Sequence, residues 1–168
     1  MFLGDLLKAR TLLQAALPKV LEHAHVAAQG DAWYALAELE VKEKAYKKKD
    51  IEVSAAKKEA VDPEKWADVD LDDWTRPISY YERARECFGY VDHWKKEQDA
   101  HYYLSLIYHQ LEADPAMKEK RDFHANRVLE IQALLNKSIG DHLEANAPLF
   151  LHEKVGPGGV ETAQTPAA

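Results

Sequence analysis

Residues 78–111 read ISYYERARECFGYVDHWKKEQDAHYYLSLIYHQL, and this stretch decides the fold. Ile78, Tyr81, Ala84 and Phe88 recur at three- and four-residue steps, which gathers them on one helical face. A further helix follows from about Trp94, with His101, Leu104 and Tyr108 at helical spacing. The stretch therefore reads as the second helix of one hairpin followed by the first helix of the next. Its aromatic and small residues are suited to packing. It holds no nucleophile motif, no ligand set and no phosphate loop.

The spacing matches the tetratricopeptide pattern, W-x2-L-G-x2-Y on a first helix and A-x3-F-x2-A on a second. Leu104-Ser105-x2-Tyr108 stands for L-G-x2-Y, His101 takes the tryptophan position, and Tyr81-x2-Ala84 takes the place of F-x2-A. A second copy lies upstream, where Ala9-x3-Leu13-x2-Ala16 is followed by Trp33-x2-Leu36-Ala37. Ala16 to Leu36 and Ala84 to Leu104 both span 20 residues. A shift of 68 pairs Leu13 with Tyr81, Ala16 with Ala84, Val20 with Phe88, Trp33 with His101, Tyr34 with Tyr102, Leu36 with Leu104 and Ala37 with Ser105. The spacing implies a period of about 40, with the rest of the shift inserted between Lys49 and Pro77. Such repetition predicts an all-α fold of tetratricopeptide-like hairpins stacked into a short right-handed α-solenoid.

Working outward, residues 5–26 form an amphipathic helix with Asp5 as N-cap, and Leu6, Ala9, Leu13, Ala16, Leu17 and Val20 share its apolar face. Pro18 should kink this helix or end it a turn early. Gly30-Asp31 reads as a helix stop followed by a cap, and a second helix runs from about Ala32 towards Lys48. Residues 50–76 interrupt the pattern as an acidic insertion. Nine acids (Asp50, Glu52, Glu59, Asp62, Glu64, Asp68, Asp70, Asp72, Asp73) face only Lys57, Lys58, Lys65 and Arg76 there. Asp62-Pro63 can open a short helix, and Trp66 and Trp74 should fold the insertion back on the hairpins. Helices follow from about Thr75 to Tyr90 and from Trp94 to Leu111. Asp114-Pro115 opens a fifth helix to about Lys137, with Phe123, Val128, Ile131, Leu134 and Leu135 inward and Gly140 as its stop. The predicted division is a repeat domain over 4–137, a short helical extension over 138–154 interrupted by Pro148, and a disordered tail over 155–168.

Bulk properties narrow the function. A formal net charge of −7 gives no support to nucleic-acid binding, which needs a basic stripe. The short run Lys47-Lys48-Lys49 instead complements a helix C-terminus. Nothing approaches 18 consecutive apolar residues, so no membrane span is expected, and the N-terminus lacks the parts of a secretory signal. Cys87, the only cysteine, excludes an internal disulfide, fits a reducing compartment and reads as a buried small hydrophobe.

Three constellations imitate chemical sites. Asp68-x-Asp70-x-Asp72 starts like a calcium loop, but Asp73 and Ser79 occupy the places of its glycine and its bidentate glutamate. Glu22-x-x-His25 resembles half of a di-iron motif without a second copy, so His23 and His25 read as a polar helix end. His93, His101, His109 and His124 are spread through helices with no nucleophile elbow. A carboxylate clamp needs lysine and asparagine where the chain has Tyr103, Leu106, Glu38 and Ala35. The reading is a protein with no catalytic residue, cofactor or metal.

The first helix of each hairpin should line a groove, which assigns Tyr34, Glu38, Tyr102, Leu106 and His109 to partner binding. Tyrosine offers contact area at low entropic cost, and histidine adds pH sensitivity. The segments GDLLKARTLLQAALPKVLEHA, RPISYYERARECFGYVDHWKKEQDAHYYLSLIYHQL and KEKRDFHANRVLEIQAL resemble the C-terminal tetratricopeptide repeats of subunit five of the anaphase-promoting complex (cyclosome), in a fungal-like version, over about residues 4–136. The resemblance implies a C-terminal part of a non-catalytic scaffold in a nuclear ubiquitin-ligase assembly, with other protein subunits as partners. A free-standing adaptor for a peptide or helix, nuclear or cytoplasmic, is the alternative. A scaffold piece should self-associate through an uncapped end, where Leu6, Leu7 and Leu12 lack a preceding hairpin.

Overall fold

Helical periodicity resolves into five α-helices: α1 (Leu3–His23), α2 (Val26–Lys57), α3 (Thr75–Tyr90), α4 (Trp94–Gln110) and α5 (Pro115–Leu151). The structure, a computed structural model, describes the backbone of residues 3–57, 60 and 69–151, and among these there is no strand. No described helix is long and apolar enough to cross a membrane. Asp62-Pro63, Trp66 and the tail from Val155 lie outside the described residues. The chain divides into two units at Gln132.

In the first unit each helix packs antiparallel on the next. Arg10 of α1 meets Glu43 of α2 at 2.7 Å, while Leu13 and Leu17 reach Trp33 and Leu36. Between α2 and α3, Trp33 stacks on Tyr80, and Arg76 lies 3.5 Å from Glu40. Tyr81 of α3 stacks on Tyr103 of α4, and Phe88 lies edge-on to His93. The start of α5 then covers α4, with the Gln98 side chain donating to the Val128 carbonyl and to Gln132. Two core clusters result. One centres on Ala37, Tyr81, Ala100, Leu104, Ile107 and Tyr108, the other on Trp33, Leu36, Ala84 and Phe88. In the second unit, residues 133–151 continue as helix, with Leu134 and Ile139 exposed.

The α1–α2 junction differs from the sequence expectation. α2 starts at Val26, and Gly30-Asp31 lies inside it as neither stop nor cap. The stop is made by side chains. The Gln29 amide donates to the carbonyls of Ala24 (2.9 Å) and Leu21 (3.3 Å), and His25 Nδ1 accepts from the Ala28 N–H. These contacts satisfy groups that helix ends leave unpaired. Gly30 serves close approach instead. A Cβ there would stand 2.7 Å from Phe88 Cε1 and 3.0 Å from Cys87 Cβ. Phe88 is wholly buried. Gly30→Ala should therefore destabilise by about 1–2 kcal/mol, the overpacking strain exceeding a helix-propensity gain of about 1 kcal/mol. Urea unfolding measures this, and a more stable variant would show that the ring shifts freely.

Other boundaries shift too, most of them outward, although α1 ends at His23 where 26 was expected. α1 starts at Leu3, so Asp5 sits in its first turn rather than at the cap, and the helix continues through Pro18 to His23. α2 runs to Lys57, so the acidic insertion begins as helix. α5 passes Gly140 and Pro148, where a stop and a separate short helix were expected, and the predicted boundary at 137 falls inside it. A lone glycine costs a helix only about 1 kcal/mol. On α5 the inward positions are His124 and Ile131, while Phe123 and Leu134 are exposed. Cys87 is half-buried rather than buried, and burial together with Glu86 raises its thiol pKa. The Asp114-Pro115 start holds, because the Asp114 carboxylate accepts the Ala116 N–H at 2.9 Å.

Candidate functional site

α2 and α4 both run antiparallel to α3, so they lie side by side and point the same way. Lys96 reaches Asp31 at 2.5 Å at their starts, Tyr34 and Tyr103 meet edge-on at 6.1 Å, and Val41 and Leu111 line one hollow further along. This α2/α4 face carries all five residues assigned to partner binding, but it gives them different environments.

Tyr34 belongs mostly to the interior. Its ring lies edge-on to Tyr81 at 5.3 Å and tilted against Phe88 at 6.4 Å. Burial, reinforced by Tyr103, Glu38 and Asp99, pushes its hydroxyl pKa well above the usual tyrosine value. It is therefore a neutral hydroxyl supporting the face, not a free contact. Glu38 is half-exposed and accepts from Lys42 one turn on, at 3.2 Å. Tyr102 (49% exposed) and Leu106 (39%) stand outward on consecutive turns of α4. His109 follows, with its side chain 61% exposed and Nδ1 3.1 Å from Glu112. Tyr103 joins the two helices through its edge-on contact with Tyr34 of α2, and Tyr102 packs edge-on against it at 5.6 Å. The α4 residues form one continuous strip, because i, i+4 and i+7 share a helical face.

Beyond the strip in sequence, Gln110 and Leu111 help line a hollow of about 790 Å³ together with Val41, Lys44, Lys48 and Trp74 among others. A second hollow of about 430 Å³ adjoins it and shares Asp72, Trp74 and Leu111. Trp74 is their common wall. The segment before α3 is fastened to α2 there. Lys44 donates to the Asp70 carbonyl and Lys47 to the Val69 carbonyl, and the Lys44 ammonium lies 5.1 Å from the Trp74 ring centre. Burial lowers the Lys44 pKa against the opposing pull of Asp70 and Asp73. Trp74 thus folds its end of the insertion back, as the sequence implied. The Asp70 carboxylate accepts the N–H groups of Asp72 and Asp73, so the calcium-like run is used as a turn. That this segment would wall a hollow was not read from the sequence. The available signal was a tryptophan standing directly before a helix in an otherwise acidic stretch.

Behind α4 lies a buried polar chain. His101 Nδ1 is 2.8 Å from His124 Nδ1, His124 Nε2 is 3.3 Å from Glu82, and His101 Nε2 is 3.8 Å from Glu97. Arg85 pairs with Glu82, and Arg127 with Glu97 at 3.2 Å. Burial works to raise the Glu82 carboxyl pKa, but hydrogen bonds and charge from His124 and Arg85 outweigh it and hold it below the usual range. Both imidazoles are almost fully shielded from solvent. Two of the four scattered histidines are therefore a pair, while His93 and His109 are exposed and apart from it.

Comparison of the chain with family models, with curated proteins and with solved structures gives no match.

Proposed function

We propose that this chain is a non-catalytic protein–protein interaction scaffold that holds its partner on the α2/α4 face. In this reading the antiparallel hairpins are tetratricopeptide-like and stack as a short right-handed α-solenoid. The observation that carries it is the side-by-side, same-direction pairing of α2 and α4 across α3. Tyr102, Leu106 and His109 stand exposed in a line along α4, and the separate Trp74 hollow takes in Gln110 and Leu111 just beyond them in sequence. Exposed aromatic and aliphatic side chains on a rigid, well-packed helix are what an anchor site needs. The resemblance to subunit five of the anaphase-promoting complex gives the proposal its assembly: a nuclear or cytoplasmic ubiquitin ligase, with other subunits as partners. A free-standing adaptor is the second reading. The hollow favours it, because 790 Å³ is the size of a site that takes one large side chain or a short peptide turn.

The double variant Tyr102→Ala, His109→Ala tests the site. Both side chains stand outside the core, so the helical circular dichroism should match that of the parent. Recovery of partner proteins with the tagged chain should fall about tenfold, the equivalent of roughly 1.4 kcal/mol. Several stoichiometric ubiquitin-ligase subunits recovered with the parent chain support the scaffold reading, and one unrelated protein supports the adaptor. Unchanged recovery with the double variant removes the α2/α4 face from the account.

A further inference from the structure

The His101–His124 pair is the least ordinary feature of the core, and the interaction face does not use it. Two imidazole nitrogens 2.8 Å apart can share a single proton. With no proton the two lone pairs face each other, and with two the N–H groups collide. The outer nitrogens look onto carboxylates, His124 Nε2 onto Glu82 and His101 Nε2 onto Glu97, and each can carry its own proton. The cluster thus has places for three imidazole protons and none for a fourth.

We propose that this pair is an acid-sensitive latch that holds the start of α5, residues 115–132, against α3 and α4. A fourth proton can enter only by opening the Nδ1···Nδ1 contact, and that contact joins α4 to α5. The groups facing it are Glu82 and Arg85 from α3, Glu97 and Tyr108 from α4, and Phe123 and Arg127 from α5. Glu82 and Glu97 are already engaged by Arg85 and Arg127, so neither carboxylate is free to offset an added charge. Glu82 also holds His124, which makes the latch a three-helix contact.

The sign of the pH effect follows. Burial, then the neighbouring His124, Arg85 and Arg127, lower the His101 pKa to about 4, whereas a solvent-exposed histidine titrates near 6.5. Above pH 6.5 the closed state keeps its full advantage. As the pH falls from there towards 4, the open state takes up a proton that the closed state refuses, and closure weakens.

Hydrogen–deuterium exchange of the whole chain at pH 7.5 and pH 5, corrected for intrinsic rates, tests the latch. Protection of residues 115–132 should fall about thirtyfold at pH 5, while α2 and α3 around Leu36, Tyr81 and Phe88 change far less. In His101→Phe, which keeps an aromatic ring without a titrating group, the drop should shrink to under about threefold. His101→Asn, which puts an amide where Nδ1 stands, should behave the same way and covers the case of poor folding in the first variant. Equal loss of protection in all helices of the parent, or a parent-like drop in both variants, overturns the latch.

Discussion

Phe88→Ala should lower the unfolding free energy by about 3–5 kcal/mol, the usual range for deleting a buried aromatic ring. Phe88 is wholly buried at the point where three helices meet. Trp33, Leu36 and Ala84 form the core cluster around it, and Gly30 gives its ring the space where another residue would carry a Cβ. His93 also meets the ring edge-on at 5.9 Å, and the Lys96 ammonium lies over it, 5.5 Å from its centre. Urea unfolding monitored by circular dichroism measures the loss. A drop under about 1 kcal/mol with an unchanged denaturant slope would mean that this junction is loosely packed.

Arg10→Ala should cost about 3 kcal/mol, although arginines near a chain end are usually dispensable. Its partner Glu43 is completely buried beneath α1, at 2.7 Å. Truncating Arg10 removes a guanidinium 2.7 Å from a fully buried carboxylate, which is the expensive way to break a buried pair. Replacing both, as Arg10→Met with Glu43→Met, removes the charge together with its partner and should recover most of the loss. The double-mutant cycle separates the pair from simple packing. If the double variant is as unstable as Arg10→Ala, the cost lies in lost contacts of the arginine stem and not in the broken ion pair.

The strong helical period between 75 and 111 was legible, and α3 and α4 begin where the sequence put them. The internal repeat was legible in part. Leu36 and Leu104 are both wholly buried, and Trp33 and His101 are both buried, as register mates should be. Ala16 is exposed while its mate Ala84 is wholly buried, because α1 packs chiefly on α2 whereas α3 lies between α2 and α4. Leu6, expected at an open end, is wholly buried, whereas Leu12 remains 71% exposed.

What stayed hidden was the use of charge inside. Glu40, Glu43 and Lys44 of α2 are all buried, and the sequence reading singled out none of them. Each is matched by a group far away in the chain: Arg76, Arg10, and the Asp70 carbonyl with the Trp74 ring. No local pattern announces such pairings. His124 replaced Phe123 as the inward residue of α5 for the same reason, since its partner His101 lies on another helix. On the candidate face, Tyr102, Leu106 and His109 do stand exposed along α4. Spacing alone could not tell that Tyr34 would be held by Tyr81, Phe88 and Tyr103.

Site-specific photocrosslinking tests the central claim most directly. A photoreactive phenylalanine analogue is placed at Tyr102, at His109, or at Lys19 on the exposed side of α1, and the full chain is irradiated in its native cells. The account predicts that positions 102 and 109 capture the same partner polypeptide and that position 19 does not. Equal capture from all three positions, or capture from Lys19 alone, would contradict an interaction face built from α2 and α4.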